Sequence, residues 1–399
     1  MSFSVHHYAL ELDYKPHSAR LSGRAVLQAS CVSLSSFSLS FGPLRVSKVL
    51  VNGKPARYAH AGGVLNVRAA VRGSFSVEVR YSGTPVPVST PEWGDLGWDQ
   101  LTDGAIVASQ PIGAPSWFPC LDEPSSKASY LLDVIAPSPY TVVCNGVLVD
   151  GKVSGSTTRW TYSMAAPMAA YLATVQIGQY VEALPGVWAP ARLRKLVAHD
   201  FARQNQMISL FSSLFGPYPF ARYSVVVTDD ELDVPVEAQG LSTFGANHVD
   251  GHRGSERLVA HELAHQWFGN SVGVAAWEHI WLNEGFACYS EWLWSEASGG
   301  RSADACAAAA RDLLTRLPQN LVIGRPGRAD WFDDRVYKRG ALTLHALRRA
   351  MGDDSFFALL REWCARNRHG VVTTEDFLSL AGHRDLLTRW LFEPVLPVS

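Results

Sequence analysis

One stretch, residues 255–284 (SERLVAHELAHQWFGNSVGVAAWEHIWLNE), restricts the fold of this chain more than any other feature. It contains His-Glu-x-x-His at His261, Glu262 and His265, and Glu284 follows after eighteen residues. Residues four apart on a helix lie on one face, so both imidazoles can bind one Zn²⁺, with Glu262 beside that face. Two His and one Glu form the ligand set of a catalytic zinc site that keeps a position for water. The stretch therefore predicts a zinc site with Glu284 as the third ligand.

The helix predicted around this motif runs from Leu258 to Phe268. Ser255 is placed to cap its start, and Gly269-Asn270 is placed to end it. A second apolar helix is predicted from Trp281 to about Ser298. The alternative is a chance match on a structural helix, because five-residue patterns are short. A third ligand on its own helix favours the zinc site.

Composition limits the class of protein. The chain has 399 residues, of which 47% are hydrophobic and 18% charged, so it is globular and large enough for two or three cores. The formal net charge is only -2 and no block of like charge is present, so neither nucleic acid nor an anionic membrane is an expected partner. The first residues lack the pattern of a signal peptide, and no apolar stretch approaches the ~18 residues of a membrane span. We expect a cytoplasmic protein.

The cysteines are expected to be reduced thiols rather than disulfides or a second metal site, because they are scattered without a C-x-x-C pair. The six are Cys31, Cys120, Cys144, Cys288, Cys306 and Cys364.

The hydrophobic pattern predicts two domains, with a boundary between residues 185 and 186. Residues 1–185 show alternating apolar positions and hairpin dipeptides at Asn52-Gly53 and Asn145-Gly146, which is typical of an antiparallel β saddle or sandwich. Pro85 to Ser109 is expected to be a long irregular loop. Residues 186–399 are mainly helical. The segments predicted there are a strand over Tyr223–Thr228 and helices over His199–Phe215, Ala303–Leu317, Arg339–Met351 and Ser355–Arg366.

The segments HELAHQWFGN and WLNEGFA resemble the gluzincin zinc aminopeptidases of peptidase family M1. The resemblance extends to FPCLDEP at residues 118–124 and to PMAAYL at residues 167–172, so it covers nearly the whole chain. It implies an N-terminal β domain followed by a thermolysin-like, mainly α catalytic domain. Together the motifs are specific to the family.

The resemblance also implies a residue that binds the substrate's free α-amine. Glu237, in VPVEAQGL, matches the glutamate of the family's Gly-x-Met-Glu-Asn signature, and a carboxylate forms a charge-assisted hydrogen bond with an ammonium. The surrounding positions depart from the signature, because Val234, Val236 and Ala238 replace Gly, Met and Asn. The alternative for Glu237 is a solvated loop carboxylate.

Two further roles are implied by position. Gln110 lies eight residues before Phe118, where family members place a glutamine that helps bind the same amine; the alternative is a polar surface residue. Tyr337, in RVYKRG, matches the tyrosine that stabilises the oxyanion; the alternative is a tyrosine packed at a helix start.

We therefore expect a zinc aminopeptidase that removes N-terminal residues from peptides, with one zinc ion per chain. Glu262 is the expected general base, and Tyr337 shares the developing oxyanion with the metal. Two alternatives remain: a hydrolase of the same fold with another substrate, such as an epoxide, and a catalytically inactive binding scaffold. Only 62 residues follow Tyr337, so a short two-domain form without the usual C-terminal domains is expected. In most family members a C-terminal helical domain covers the active site. Here a second copy of the chain, packed on the open face, is the alternative cover.

Overall fold

The computed structural model describes residues 3–397, and the chain divides into two compact units. The first comprises the residues up to Val197 together with Phe220–Asn247. The second comprises Ala198–Pro219 together with the residues from His248 onward. These units differ from the two expected domains, because strands after residue 220 pair with strands before residue 190 in one sheet. The boundary at 185/186 remains a prediction about domains.

The described part of the first unit is built mainly from strands. The first nine are β1 (Phe3–Lys15), β2 (Arg20–Ser40), β3 (Arg45–Val51), β4 (Lys54–Pro55), β5 (Arg57–Ala61), β6 (Val64–Gly83), β7 (Val88–Thr90), β8 (Gly94–Gln100) and β9 (Ala105–Ala108). The next ten are β10 (Lys127–Pro137), β11 (Thr141–Cys144), β12 (Val147–Ser154), β13 (Thr157–Ala169), β14 (Val175–Gly178), β15 (Tyr180–Leu184), β16 (Val187–Pro190), β17 (Ser224–Val227), β18 (Val236–Ala238) and β19 (Leu241–Phe244).

A nine-stranded sheet dominates this unit. Its order is β12-β13-β10-β1-β2-β6-β3-β4, and β5 pairs separately with β6. Tyr8, Leu10, Leu12 and Tyr14 of β1 are buried while their neighbours are more exposed, as the alternation predicted. The sheet is antiparallel except for the parallel pair β1–β10, because the chain returns to β1 only after a long connection. The expected β-rich N-terminal fold is confirmed.

Two local expectations were wrong. The segment from Pro85 to Ser109 contains β7, β8 and β9, which belong to a five-stranded sheet of order β11-β14-β9-β8-β7. Asn52-Gly53 does join paired strands, but Asn145-Gly146 carries the chain from this sheet to the nine-stranded one. The Asn145 amide donates hydrogen bonds to the carbonyls of Leu172 and Gln239, both 2.9 Å away. Its side chain therefore connects distant segments and does not serve a hairpin.

A third sheet, of order β15-β16-β17-β19-β18, explains the division of the units. Strand β17 is parallel to both β16 and β19, and its four residues are all buried. Parallel strands covered on both faces have this continuous apolar sequence. The strand expected at Tyr223–Thr228 is therefore confirmed.

Helices dominate the second unit, with one helix at the junction of the units. The helices of the described residues are α1 (Arg194–Asp200), α2 (Gln204–Phe215), α3 (Glu256–Ala264), α4 (Trp281–Ala297), α5 (Ala303–Thr315), α6 (Asp334–Met351), α7 (Asp353–Arg366), α8 (Thr374–Ala381) and α9 (Arg384–Phe392). A small parallel pair joins β20 (Gly273–Val274) and β21 (Val371–Val372). No helix among residues 3–397 is long and apolar enough to cross a membrane.

The helix expected from His199 begins later, at Gln204. Asp200 ends the separate helix α1, and its carboxylate accepts hydrogen bonds from the backbone N–H groups of Asp250, Gly251 and Arg253 at 2.9–3.0 Å. These bonds hold Asp200 in place where the chain turns between α1 and α2. The other expected helices are present with ends shifted by a few residues.

Candidate active site

Helix α3 and the residue after it carry the two histidines of the motif. Ser255 lies at the cap position but its side chain makes no capping hydrogen bond, and α3 ends at Ala264, earlier than expected. His265 is the C-cap residue and its backbone N–H still donates to the His261 carbonyl at 3.3 Å. The two imidazole rings therefore stay on one face, with centroids 4.8 Å apart. His261 is 7% exposed and His265 is 1% exposed.

Glu284, in the first turn of α4, faces both imidazoles. Its Oε2 atom lies 3.5 Å from Nε2 of His261 and 3.4 Å from Nε2 of His265. One ligand atom from each of the three residues falls within a group no wider than 4.8 Å. Two imidazole nitrogens and a carboxylate oxygen are a donor set that zinc accepts, so the three residues fit this ion.

The Nδ1 atom of each imidazole ring already has a hydrogen-bond partner. Nδ1 of His261 is 2.7 Å from Oε1 of Glu291, and Nδ1 of His265 is 3.1 Å from the Phe268 carbonyl oxygen. An acceptor on Nδ1 holds the proton there and leaves Nε2 as the lone-pair nitrogen that a metal needs. Arg257 donates to the other oxygen of Glu291 at 2.9 Å. Both rings are therefore oriented, in tautomer and in angle, toward Glu284.

Glu291 was missed by the sequence interpretation. A signal for it exists, because Glu291 is an acidic residue two turns after Glu284 on a helix that is buried from Trp281 to Trp294. A buried carboxylate in such an apolar run requires a partner. Its partners here are His261 and Arg257.

The electrostatics agree with a site for a cation. Burial opposes ionisation of Glu284, but the imidazoles of His265 and His261 outweigh it and hold the pKa of this carboxyl to about 2. Burial alone would lower the pKa of His261, yet Glu284 and Glu291 raise it well above its ordinary value. Two carboxylates thus attract positive charge onto His261 from both sides, and a divalent ion satisfies the same field.

Tyr337 lies in the first turn of α6, and its ring is nearly parallel to the His261 ring, with centroids 5.9 Å apart and planes 19° apart. A pair of glycines brings the two helices this close. A Cβ atom on Gly285 of α4 would lie 2.8 Å from Cα of Gly340 of α6, and a Cβ on Gly340 would lie 2.7 Å from Cα of Gly285. A side chain at either position would push α6, and Tyr337 with it, away from the histidines.

The remaining motif residues are Glu262, Glu237 and Gln110. Glu262 follows His261 on α3 and is buried, with 4% of its surface exposed. Glu237 and Gln110 lie in the first unit, where Gln110 Nε2 donates to Glu237 Oε1 at 2.8 Å. Glu237 is on the short strand β18 and is 6% exposed. Within the second unit the structure therefore brings His261, His265, Glu284 and Tyr337 together, and within the first unit it joins Glu237 to Gln110.

Glu291→Ala should weaken zinc binding by about 10- to 100-fold, the usual cost of losing an outer partner of a ligating histidine. The His261 ring then loses its Nδ1 acceptor while all three ligand atoms remain. Titration against a competing chelator measures the change. Glu362→Gln is the control, because Glu362 is exposed on α7 and pairs with Arg366 of the same helix. Equal zinc affinity in wild type and Glu291→Ala would show that Glu291 does not support the site.

Known proteins share these features over most of the chain. The model of the peptidase family M1 domain matches residues 199–385, and that of the peptidase M1 N-terminal domain matches residues 102–172. Aminopeptidase M1-D of Oryza sativa subsp. japonica is 27% identical over 327 residues, which are 74% of this chain and 38% of that protein. The chain thus spans well under half the length of this relative.

Solved structures match over nearly the whole chain. The M1 zinc metallopeptidase from Deinococcus radiodurans superposes with a TM-score of 0.88 at 28% identity, covering 99% of this chain and 95% of that one. A mutant of that enzyme bound to a Tyr-Ser-Ala substrate gives a TM-score of 0.90 at 27% identity, with the same coverage. The mixed architecture of a β-rich unit and a helical unit is therefore one that known metallopeptidases share.

Proposed function

We propose that this chain, which belongs to peptidase family M1, is a zinc-dependent aminopeptidase that removes N-terminal residues from peptides. The observation that carries the proposal is the group formed by His261, His265 and Glu284, with both Nε2 atoms within 3.5 Å of one carboxylate oxygen. We assign these three residues as the ligands of one zinc ion. The relative bound to Tyr-Ser-Ala supports a peptide as the substrate.

Zinc, when bound, supplies a Lewis acid that polarises a carbonyl and lowers the pKa of water toward about 7. Glu262 is the proposed general base, which takes a proton from the attacking water and delivers it to the leaving amine. Its neighbour on α3 is His261, so its carboxylate is carried by the same helix as one of the proposed ligands. Tyr337 is the proposed hydrogen-bond donor to the oxyanion, since its ring is stacked near His261.

Glu237 and Gln110 are the proposed binding residues for the α-ammonium of the peptide. Gln110 donates to one oxygen of Glu237, which orients the carboxylate. Such a buried carboxylate pairs with an ammonium through a charge-assisted hydrogen bond, whereas an acetylated amine offers no positive charge. The departures at Val234, Val236 and Ala238 leave this carboxylate in place.

The proposed location is the cytoplasm. All six cysteines are unpaired thiols, as expected, and unpaired thiols are typical of a reducing compartment. Fractionation of the native cells, with marker proteins for each compartment, would test this location. Recovery of the protein outside the cytoplasm would contradict it.

Hydrolysis of aminoacyl fluorogenic substrates and of matched free and N-acetylated peptides tests the proposed function. The zinc-loaded protein should cleave the free peptides and leave the acetylated ones nearly intact. Glu237→Gln should lower kcat/KM for free peptides by about 10- to 100-fold, because a hydrogen bond to a charged group is lost. Glu231→Gln, an exposed acid nearby in the chain, is the control. Equal cleavage of acetylated peptides would contradict the amine-binding role, and no cleavage of any peptide by zinc-loaded protein would contradict the function.

A further inference from the structure

Positive charge is concentrated in one part of the chain. Residues 14–91 contain ten Lys and Arg residues and a single acidic residue, Glu78, whereas the rest of the chain has 25 basic and 36 acidic residues. The near-neutral total of -2 conceals this asymmetry. Residues 14–91 include strands β2 to β6, which form one side of the nine-stranded sheet. This lateral half of the sheet, formed by β2 to β6, is therefore strongly cationic.

Two rows of this sheet place basic side chains directly opposite each other, and in the first row acidic residues pair with both arginines. In the first row Arg80 of β6 lies opposite Arg24 of β2 and Lys48 of β3. Glu78 binds Arg24 at 2.9 Å and Arg80 at 2.7 Å, and Glu11 also binds Arg24. Like charges that face each other across strands are destabilising, and here acidic neighbours remove the repulsion.

The second row has no such compensation. Arg68 of β6 lies opposite Arg57 of β5 on one side and opposite Ser36 of β2 on the other. Residues paired in antiparallel register project from the same face, so the two guanidinium groups and the hydroxyl share one surface. Within residues 3–397, neither the Arg57 nor the Arg68 side chain has a hydrogen-bond or ion-pair partner, and both residues are exposed. The sheet thus keeps an unneutralised pair of arginines here, whereas both arginines of its other basic row are paired with carboxylates.

The unneutralised row lines a concave site. A cleft of about 730 Å³ is bordered by Arg57, Arg68, Ser36, Ser38 and Asn66, with Tyr58 and Phe37 among its other walls. Ser38 donates to the Asn66 side-chain oxygen at 2.7 Å, which leaves the Asn66 amide N–H groups for another acceptor. The cleft therefore combines two positive charges, a hydroxyl and an amide, and its volume is that of a small-molecule site.

We propose that this cleft on β2, β5 and β6 binds a phosphate group, as the free anion or as a phosphomonoester. A phosphate dianion matches the two positive charges with one group, whereas one carboxylate would leave a charge unneutralised. Guanidinium groups bind phosphate oxygens through paired hydrogen bonds, and Ser36 and Asn66 add neutral donors. The site lies entirely within the first unit and does not depend on the proposed peptidase function.

Calorimetric titration at low ionic strength tests the proposal with two probes, inorganic phosphate and adenosine 5′-monophosphate. Arg57→Gln and Arg68→Gln should each weaken binding by about tenfold or more, because each removes charge-assisted hydrogen bonds. Arg72→Gln is the matched control, since Arg72 is an exposed arginine of β6 outside the cleft and removes the same charge. Tighter binding of the monophosphate would identify a phosphomonoester as the ligand, and equal binding would identify the free anion.

Thermal unfolding separates binding from a structural role. Without a probe, Arg57→Gln should unfold at the wild-type midpoint or higher, because one partner of a repulsive pair is gone. With phosphate present, the wild-type and Arg72→Gln midpoints should rise and the Arg57→Gln midpoint should not. Three results would overturn the proposal: no binding of either probe at millimolar concentration, equal weakening by Arg72→Gln, or binding of a hexaglutamate peptide in preference to both phosphates.

Discussion

Glu262→Gln should retain a full equivalent of zinc and lose about 10² to 10⁴ in kcat, the usual contribution of a positioned general base. The substitution keeps the shape of the side chain but removes its ability to accept the proton of water. None of the three ligands is changed, and both histidines keep their Nδ1 partners, Glu291 and the Phe268 carbonyl. This variant should therefore match the wild type in zinc content and differ from it in kcat.

The measurement pairs elemental analysis with steady-state kinetics on one free peptide. Glu362→Gln carries the same chemical change on the exposed face of α7 and should keep wild-type kcat. A loss of zinc that parallels the loss of kcat would place Glu262 among the ligands. A wild-type kcat with full zinc would remove Glu262 from the reaction.

Glu284→Ala should purify with little zinc and no measurable peptidase activity. The loss of a direct ligand should weaken binding at least as much as the ~10- to 100-fold cost of losing an outer partner. His261 and His265 remain, but the carboxylate oxygen 3.4–3.5 Å from their Nε2 atoms is gone. Adding excess zinc should restore little activity, because the ion would be held by two residues.

Folding must be checked in the same variant, since Glu284 is 2% exposed and is surrounded by charged partners. The strands of the first unit are distant in sequence from the substitution and should give an unchanged far-ultraviolet circular dichroism spectrum. A full zinc equivalent in well-folded Glu284→Ala would remove Glu284 from the ligand set. The alternative carboxylate is Glu262, which has an oxygen within 4.8 Å of a ring nitrogen of His265, and the double variant Glu262→Gln/Glu284→Ala would then test it.

Much of the metal centre could be predicted because its geometry is local. His265 follows His261 by four positions, and one helical turn determines that both rings share a face whatever surrounds the helix. The strand alternation of β1 is local in the same way, since Tyr8, Leu10, Leu12 and Tyr14 alternate with polar residues in any half-buried strand. Short spacing therefore determined which residues belong to one face.

The parts that could not be predicted join elements that are far apart in the chain. Asn145-Gly146 has the composition of a hairpin, but the packing of Leu172 and Gln239 decides that Asn145 connects segments. Within Pro85–Ser109, β7 pairs with β8 and β8 with β9, and β9 also pairs with β14, which lies outside that segment. The propensity of a residue type for a turn or a strand is a weak local preference, and pairing with distant segments of the chain overrides it.

The sequence by itself determined the identity of the proposed ligands, the helices that carry them and the β-rich first part of the chain. Only the tertiary structure decided that Glu291 accepts from His261, that Gly285 against Gly340 brings Tyr337 beside the histidines, and that Arg57 and Arg68 share one cleft. The physical reason is the distance along the chain over which each kind of interaction acts. A helical turn or a strand repeat is set by bonds within a few residues, whereas a contact between elements depends on which surfaces the whole chain buries together.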